Sequence, residues 1–202
     1  MDYNIKSIAY DILNLSERDF IIKYLLESEN WYFGQNQNDS VPSMERLKEI
    51  LSRHIGIAYN SILMVGSGKI GFSLSPHKPL KEFDDDSDID IAIVSNRLFC
   101  NIWDEIRRAS QNSFIPYYGE ISNSIFRGYI NEKRFCEIDS ARTYWNQTID
   151  KANKEIGENL QIYNTINYRI YRSWEDLEEY HLKGMSSLKG ILKDMNYGNN
   201  VQ

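Results

Sequence analysis

One stretch of the chain alternates acid with isoleucine before becoming wholly apolar: Asp88-Ile89-Asp90-Ile91-Ala92-Ile93-Val94. Residues two apart on a strand point to the same face, so Asp88 and Asp90 stand side by side as they enter a strand whose other residues call for burial. Two like charges in that position are costly to ionise unless a divalent cation lies between them and neutralises both. The pair therefore implies a metal. Mg2+, with Mn2+ as the alternative, suits such a donor set, because it takes a few carboxylates and completes its shell with water and substrate phosphate oxygens. The preceding acids Asp84, Asp85 and Asp86 do not alternate with apolar residues and read as a solvated loop.

A second apolar run, Ser61 to Val65, ends in Gly66-Ser67-Gly68-Lys69, the pattern of a buried strand feeding a ligand-binding turn. Gly66 lets the backbone approach a phosphate, Ser67 offers a hydroxyl and an amide as donors, and Lys69 adds a compact positive charge. Val65-Gly66-Ser67 followed by Asp88-Ile89-Asp90-Ile91 resembles the signature of the polymerase-beta-like nucleotidyltransferase superfamily, over about a sixth of the chain. The resemblance implies an α/β (α+β) nucleotidyltransferase fold, a small mixed sheet flanked by helices. It implies that Gly66 and Ser67 open a short helix beneath a triphosphate, and that Asp88 and Asp90 are catalytic and hold the metal ions. It also implies a third carboxylate on a later strand, for which Glu137, between Cys136 and Ile138, is the first candidate and Asp139 its rival. The connection between the two motifs is longer than the family's usual one.

Other glycine and acid motifs fit less well. Gly66, Gly68 and Gly71 spell a dinucleotide-binding pattern, but Pro76 and Pro79 interrupt the helix it needs, and Asp88 and Asp90 precede most of their strand instead of following it. A P-loop would need serine or threonine where Ile70 stands. An EF-hand beginning at Asp84 would need glycine at Ile89 and glutamate at Ser95.

Around these motifs the chain reads as one domain, 1–202. A helical lead-in occupies 1–56: two helical pieces from Ile5 to Leu26, the second opening at Ser16 with Asp19 three residues on, then a polar loop from Glu27 to Pro42, then a helix from Ser43 ending near Gly56. The catalytic sheet and its helices fill 57–173. Within it lie strands at Ser61–Val65 and Ile89–Val94, a helix over Asn96–Ser110, strand-like pieces at Ile125–Ile130 and Phe135–Ile138, and an extended run at Ile166–Tyr171. Ser173 caps a long helix, 174–195, and 196–202 reads as a flexible tail. Arg169 and Arg172 either bind triphosphate or pair with Glu175 and Asp176. His54, His77 and His181 have no ligand spacing and read as structural.

A net charge of −6 argues against tight binding of long duplex DNA, which needs many lysine and arginine contacts to phosphate. No run reaches the roughly 18 apolar residues of a membrane span, so a cytoplasmic location is expected. Cys100 and Cys136, the two cysteines, each sit in an apolar run and read as buried free thiols. Small size and the lack of a basic groove disfavour a template-reading enzyme. Phe126-Arg127-Gly128 and Tyr171-Arg172-Ser173-Trp174 resemble small stand-alone bacterial members of the superfamily, some of them in antiphage defence. The Hailong-type members among them build a deoxyadenylate strand primed on their own tyrosine, which makes Tyr197 a candidate primer. The expected partners are a nucleoside triphosphate (ATP among them) and a hydroxyl acceptor on a nucleotide, a short oligonucleotide or a protein. The alternatives are a toxin–antitoxin type enzyme modifying a protein or small molecule, and a catalytically silent binding module.

Overall fold

A computed structural model of the protein describes residues 4–34, 43–160 and 162–195. Tyr197 lies outside them. The chain enters through α1 (Ile5–Asn14), whose first turn is capped by Asn4 accepting from Lys6 N at 2.8 Å. Next comes α2 (Glu17–Ile21), opened by Ser16 accepting from Asp19 N at 3.1 Å and continued by a π-helical turn, Ile22–Leu26. A single turn, α3 (Trp31–Gly34), stands inside the segment whose sequence reads as loop. Helix α4 (Met44–Ile55) starts on a Ser43 cap and stops at Gly56, which takes a left-handed φ of 70°.

The sheet begins with β1 (Ile62–Val65), followed by the one-turn helix α5 (Ser67–Ile70), β2 (Ile89–Val94) and α6 (Asn96–Ser110). Then come α7 (Tyr118–Phe126), β3 (Tyr129–Asn131), α8 (Glu132–Phe135) and α9 (Asp139–Asn159). The chain closes with β4 (Ile166–Tyr171) and α10 (Trp174–Asp194), which Ser173 caps. Strand order is β1-β2-β4-β3, with β2 and β4 parallel at the centre and β1 and β3 antiparallel at the edges. The fold is thus mixed α/β.

The two faces of the sheet differ. Ile89, Ile91 and Ile93 are fully buried in the main core, against Leu47 and Ile50 of α4, Phe99 and Ile102 of α6, and Trp145 and Ile149 of α9. Asp90, Ala92 and Val94 take the other face. There Val65, Ala92 and Val94 meet Tyr171 and Leu177, while α10 also packs its Met185, Leu188 and Leu192 against Ile8, Ile12 and Phe20 of the lead-in. Because the pattern has period two, a slip of β2 by one residue would drive both aspartates into the main core, so hydrophobic burial itself sets where the acids stand.

Of two expected strand-like pieces, one is shortened and the other is absent. Ile125 and Phe126 finish α7, which Gly128 terminates at φ 76°, so that extended structure begins only at Tyr129. Phe135 to Ile138 is the end of α8 and the turn into α9. Among the described residues no helix is long and apolar enough to cross a membrane.

Candidate functional site

β1 delivers the Gly-Ser turn directly beside the acids. Val65 pairs with Asp90 across the antiparallel ladder, and Gly66 follows at φ 69°, ψ −154°, a conformation open essentially to glycine alone. A Cβ on Gly66 would lie 2.8 Å from Asp90 Oδ2. The glycine is needed both for the bend and because the carboxylate occupies the space a side chain would fill. Ser67 then opens α5, as the resemblance implied for the residue after the glycine.

Asp88 and Asp90 feel different surroundings. Burial pushes the Asp88 carboxyl up, but hydrogen bonds from Lys133 and Asn167 and the lysine charge outweigh it, leaving it below the usual carboxylate range. Lys133 Nζ stands 2.8 Å from Asp88 Oδ2, half in solvent. Asp90 is displaced upward: burial dominates, the neighbouring Asp88 charge adds to it, and Arg169 and Lys133 only partly offset the rise. Asp90 is therefore the member of the pair whose ionised form is incompletely compensated. Two carboxylates on one face, one of them in that condition, fit a divalent cation that also takes phosphate oxygens.

Asp90, Gly66 and Ser67 open onto a cavity of about 730 Å³. One wall is the long β1–β2 connection, which folds back on itself through a Phe72↔Glu82 bridge and brings Ser73, Ser75 and His77 to the cavity. The other wall comes from the end of α7, from β4 and from α10, and carries Arg127, Arg169, Tyr180, His181 and Lys183. The size is in the range of sites for small organic ligands, about 300–1,000 Å³.

Several expected site residues lie elsewhere. Lys69 is 5% exposed and its ammonium donates to the Ser28 carbonyl on the lead-in, with its pKa lowered to about 8 by burial. It is not among the residues lining the cavity. The one-turn helix explains this: two residues past Ser67, the side chain is carried round to the buried side. Glu137 is exposed on the α8–α9 turn, and Asp139 is exposed at the start of α9, paired with Arg142. Neither is delivered on a strand. Among the described residues no group of three His, Cys, Asp or Glu side chains gathers in a way that could hold a metal. The neighbour that β4 does place opposite Asp90 is Asn167.

Other groups have structural partners. Asp84 pairs with Lys81 at 2.7 Å and accepts from Ser87 Oγ at 2.6 Å in its exposed loop. Arg172 grips Asp176 at 2.8 and 2.9 Å, His54 meets Glu155 at 2.7 Å, and both cysteines are free but only half-buried. Burial pushes the Cys136 thiol up to about 12, which makes it a poor nucleophile. Glu132, which sequence reasoning passed over, accepts from Trp145 Nε1 at 2.6 Å and Tyr168 N at 2.9 Å, a clasp joining α8, α9 and β4. Tyr180 and Lys183 carry no local motif, Arg127 stands in the sequence only as part of Phe126-Arg127-Gly128, and His181 packs beside Tyr171 and Tyr180. The alternation of β4, which puts Asn167, Arg169 and Tyr171 on the face of Asp90, was the signal available for that wall. No protein-family model, no curated protein and no solved structure matches the chain.

Proposed function

We propose that the protein is a metal-dependent nucleotidyltransferase that moves a nucleoside monophosphate from an NTP or dNTP to a hydroxyl acceptor and releases pyrophosphate. The observation that carries this reading is the contact between the Gly66–Ser67 turn and Asp90, with Asp88 on the same face, at the edge of a cavity with basic groups in its wall. In this reading Gly66 and Ser67 receive the triphosphate, its phosphates lying against the Ser67 hydroxyl. Asp88 and Asp90 hold Mg2+, which when bound supplies charge neutralisation for the phosphates and for the departing pyrophosphate. The acceptor oxygen forms a bond to the α-phosphorus, the bond from that phosphorus to the β-phosphate oxygen breaks, and the hydroxyl proton passes to solvent water.

The product in this reading is a nucleotide or oligonucleotide signal, and the setting of bacterial defence rests on sequence resemblance alone. Self-priming on Tyr197 predicts a mass gain in whole nucleotide increments after incubation with a triphosphate and Mg2+; an unchanged intact mass ends that version. One contact favours a second reading, a silent nucleotide- or partner-binding module: Lys133 already sits on Asp88, and no third carboxylate joins the pair among the described residues. Pyrophosphate release separates the two. Release by the wild type with at least one triphosphate, lost in Asp88→Asn and Asp90→Asn, supports transfer. No release with any triphosphate in Mg2+ or Mn2+ supports the silent module.

A further inference from the structure

Beyond Asp90, the cavity wall contains a half-buried cation, Arg169. Arg169 lies on the same face of the sheet, two residues along β4 from Asn167, and is walled by Tyr129, Tyr171, Tyr180 and His181. Its guanidinium stacks on the Tyr180 ring at 4.6 Å and feels the charge of Asp90, yet it forms no ion pair among the described residues. Its Nε is shut off from solvent with no hydrogen-bond partner, and so is Nε2 of His181 beside it. A half-buried guanidinium that lines a cavity without a paired anion is expensive, and an anion in the cavity would offset that cost. Arg127 and Lys183, both exposed and both lining the cavity, extend the same wall. Glu179 also lines it and leaves the three cations in excess.

We propose that Arg127, Arg169 and Lys183 form a second anion subsite, separate from the Gly66–Ser67 turn, which takes a phosphate of a nucleotide acceptor whose base lies on Phe126. Phe126 supports the nucleotide identity: it lies at the cavity next to Arg127 with 88% of its surface exposed, a free aromatic face of the kind on which bases stack. Arg supplies a planar fork suited to phosphate oxygens. The word acceptor rests on the nucleotidyl-transfer reading; the existence of the subsite does not.

The test is fluorescence anisotropy in EDTA with a labelled adenosine dinucleotide carrying a 5′-phosphate, and with the same dinucleotide lacking it. The wild type binds the phosphorylated probe preferentially. An Arg127→Ala/Lys183→Ala double variant, altered only at exposed positions, binds it about tenfold more weakly or worse. Phe126→Ala weakens it about fivefold or more. Asp88→Asn and Asp90→Asn leave it unchanged or tighter, because they remove negative charge beside the subsite. No binding by the wild type, equal binding of both probes, or full affinity in the double variant overturns the subsite, and full affinity in Phe126→Ala overturns the nucleotide as its ligand. Absence of pyrophosphate release with phosphate-dependent binding intact would instead remove the transfer reading and leave the subsite standing.

Discussion

Gly66→Ala gives a perturbation whose cost can be divided into two parts. The first is backbone strain: at φ 69°, ψ −154° an L-residue sits in a region populated essentially by glycine, at a cost of the order of 1–3 kcal/mol. The second is collision. The new methyl would stand 2.8 Å from Asp90 Oδ2, too close for any real contact, so Asp90 must leave its rotamer or the turn must move, at about 0.5–1.5 kcal/mol. Together they amount to about 1.5–4.5 kcal/mol, or a fall in Tm of roughly 3–18 °C for a chain of this size. Urea unfolding followed by tryptophan fluorescence measures the loss. The cycle with Asp90→Ala separates the parts, because removing the carboxylate abolishes the collision and leaves the backbone term. Gly66→Ala should therefore cost about 0.5–1.5 kcal/mol less in the Asp90→Ala background. Equal costs in the two backgrounds would show that the glycine and the aspartate are not in contact and would remove the geometric basis of the site.

Other expectations follow from single contacts. Glu132→Ala strands the buried donors Trp145 Nε1 and Tyr168 N and should cost about 2–4 kcal/mol in urea unfolding, whereas Glu132→Gln, which keeps an acceptor, should cost less; similar losses would mean the clasp is not made. Lys69 has a folded pKa of about 8 against an ordinary 10.5, so between those values the unfolded chain binds more protons and stability rises with pH. Stability measured against Lys69→Met should accordingly gain on the variant as pH climbs through that window, and a pH-independent difference would refute the burial penalty. Lys133→Met frees Asp88 from a half-exposed ion pair and should tighten Mn2+ binding about two- to fivefold by electron paramagnetic resonance titration; weaker binding would mean that the lysine supports the cation site.

The parts of the fold readable from the chain were those with a long or doubly marked pattern. β2 declares itself by acid–isoleucine alternation, α6 by apolar residues at helical spacing over Asn96–Ser110, and α2, α4 and α10 by serine caps at Ser16, Ser43 and Ser173. The stretch from Tyr118 to Asn159 was not readable in the same way. Runs as short as Phe135–Ile138 suit a buried strand and a buried helical turn equally well, and only the packing of Phe135 against Trp145 decides between them. The Gly66–Ser67 turn and the aspartate pair are local and were legible, but of the cavity wall only Arg169 was singled out, with its pairing with an acid left open as the alternative. Arg169 joins it only because β4 lies parallel to β2 with Ala92 opposite, and His181 only because α10 crosses that face, which is long-range information. Lys69 was misplaced for the converse reason, since sequence proximity to Ser67 says nothing of the direction in which one turn of helix carries a side chain.

The central claim is that Asp88 and Asp90 share a divalent cation next to a triphosphate lying on Ser67. Anomalous diffraction from crystals grown with Mn2+ and a non-hydrolysable nucleoside triphosphate tests it most directly. The account predicts a manganese peak between the two carboxylates, in contact with phosphate oxygens and within reach of the Ser67 turn. A triphosphate bound in the cavity with no manganese at the aspartates, or with Lys133 still seated on Asp88, would contradict it.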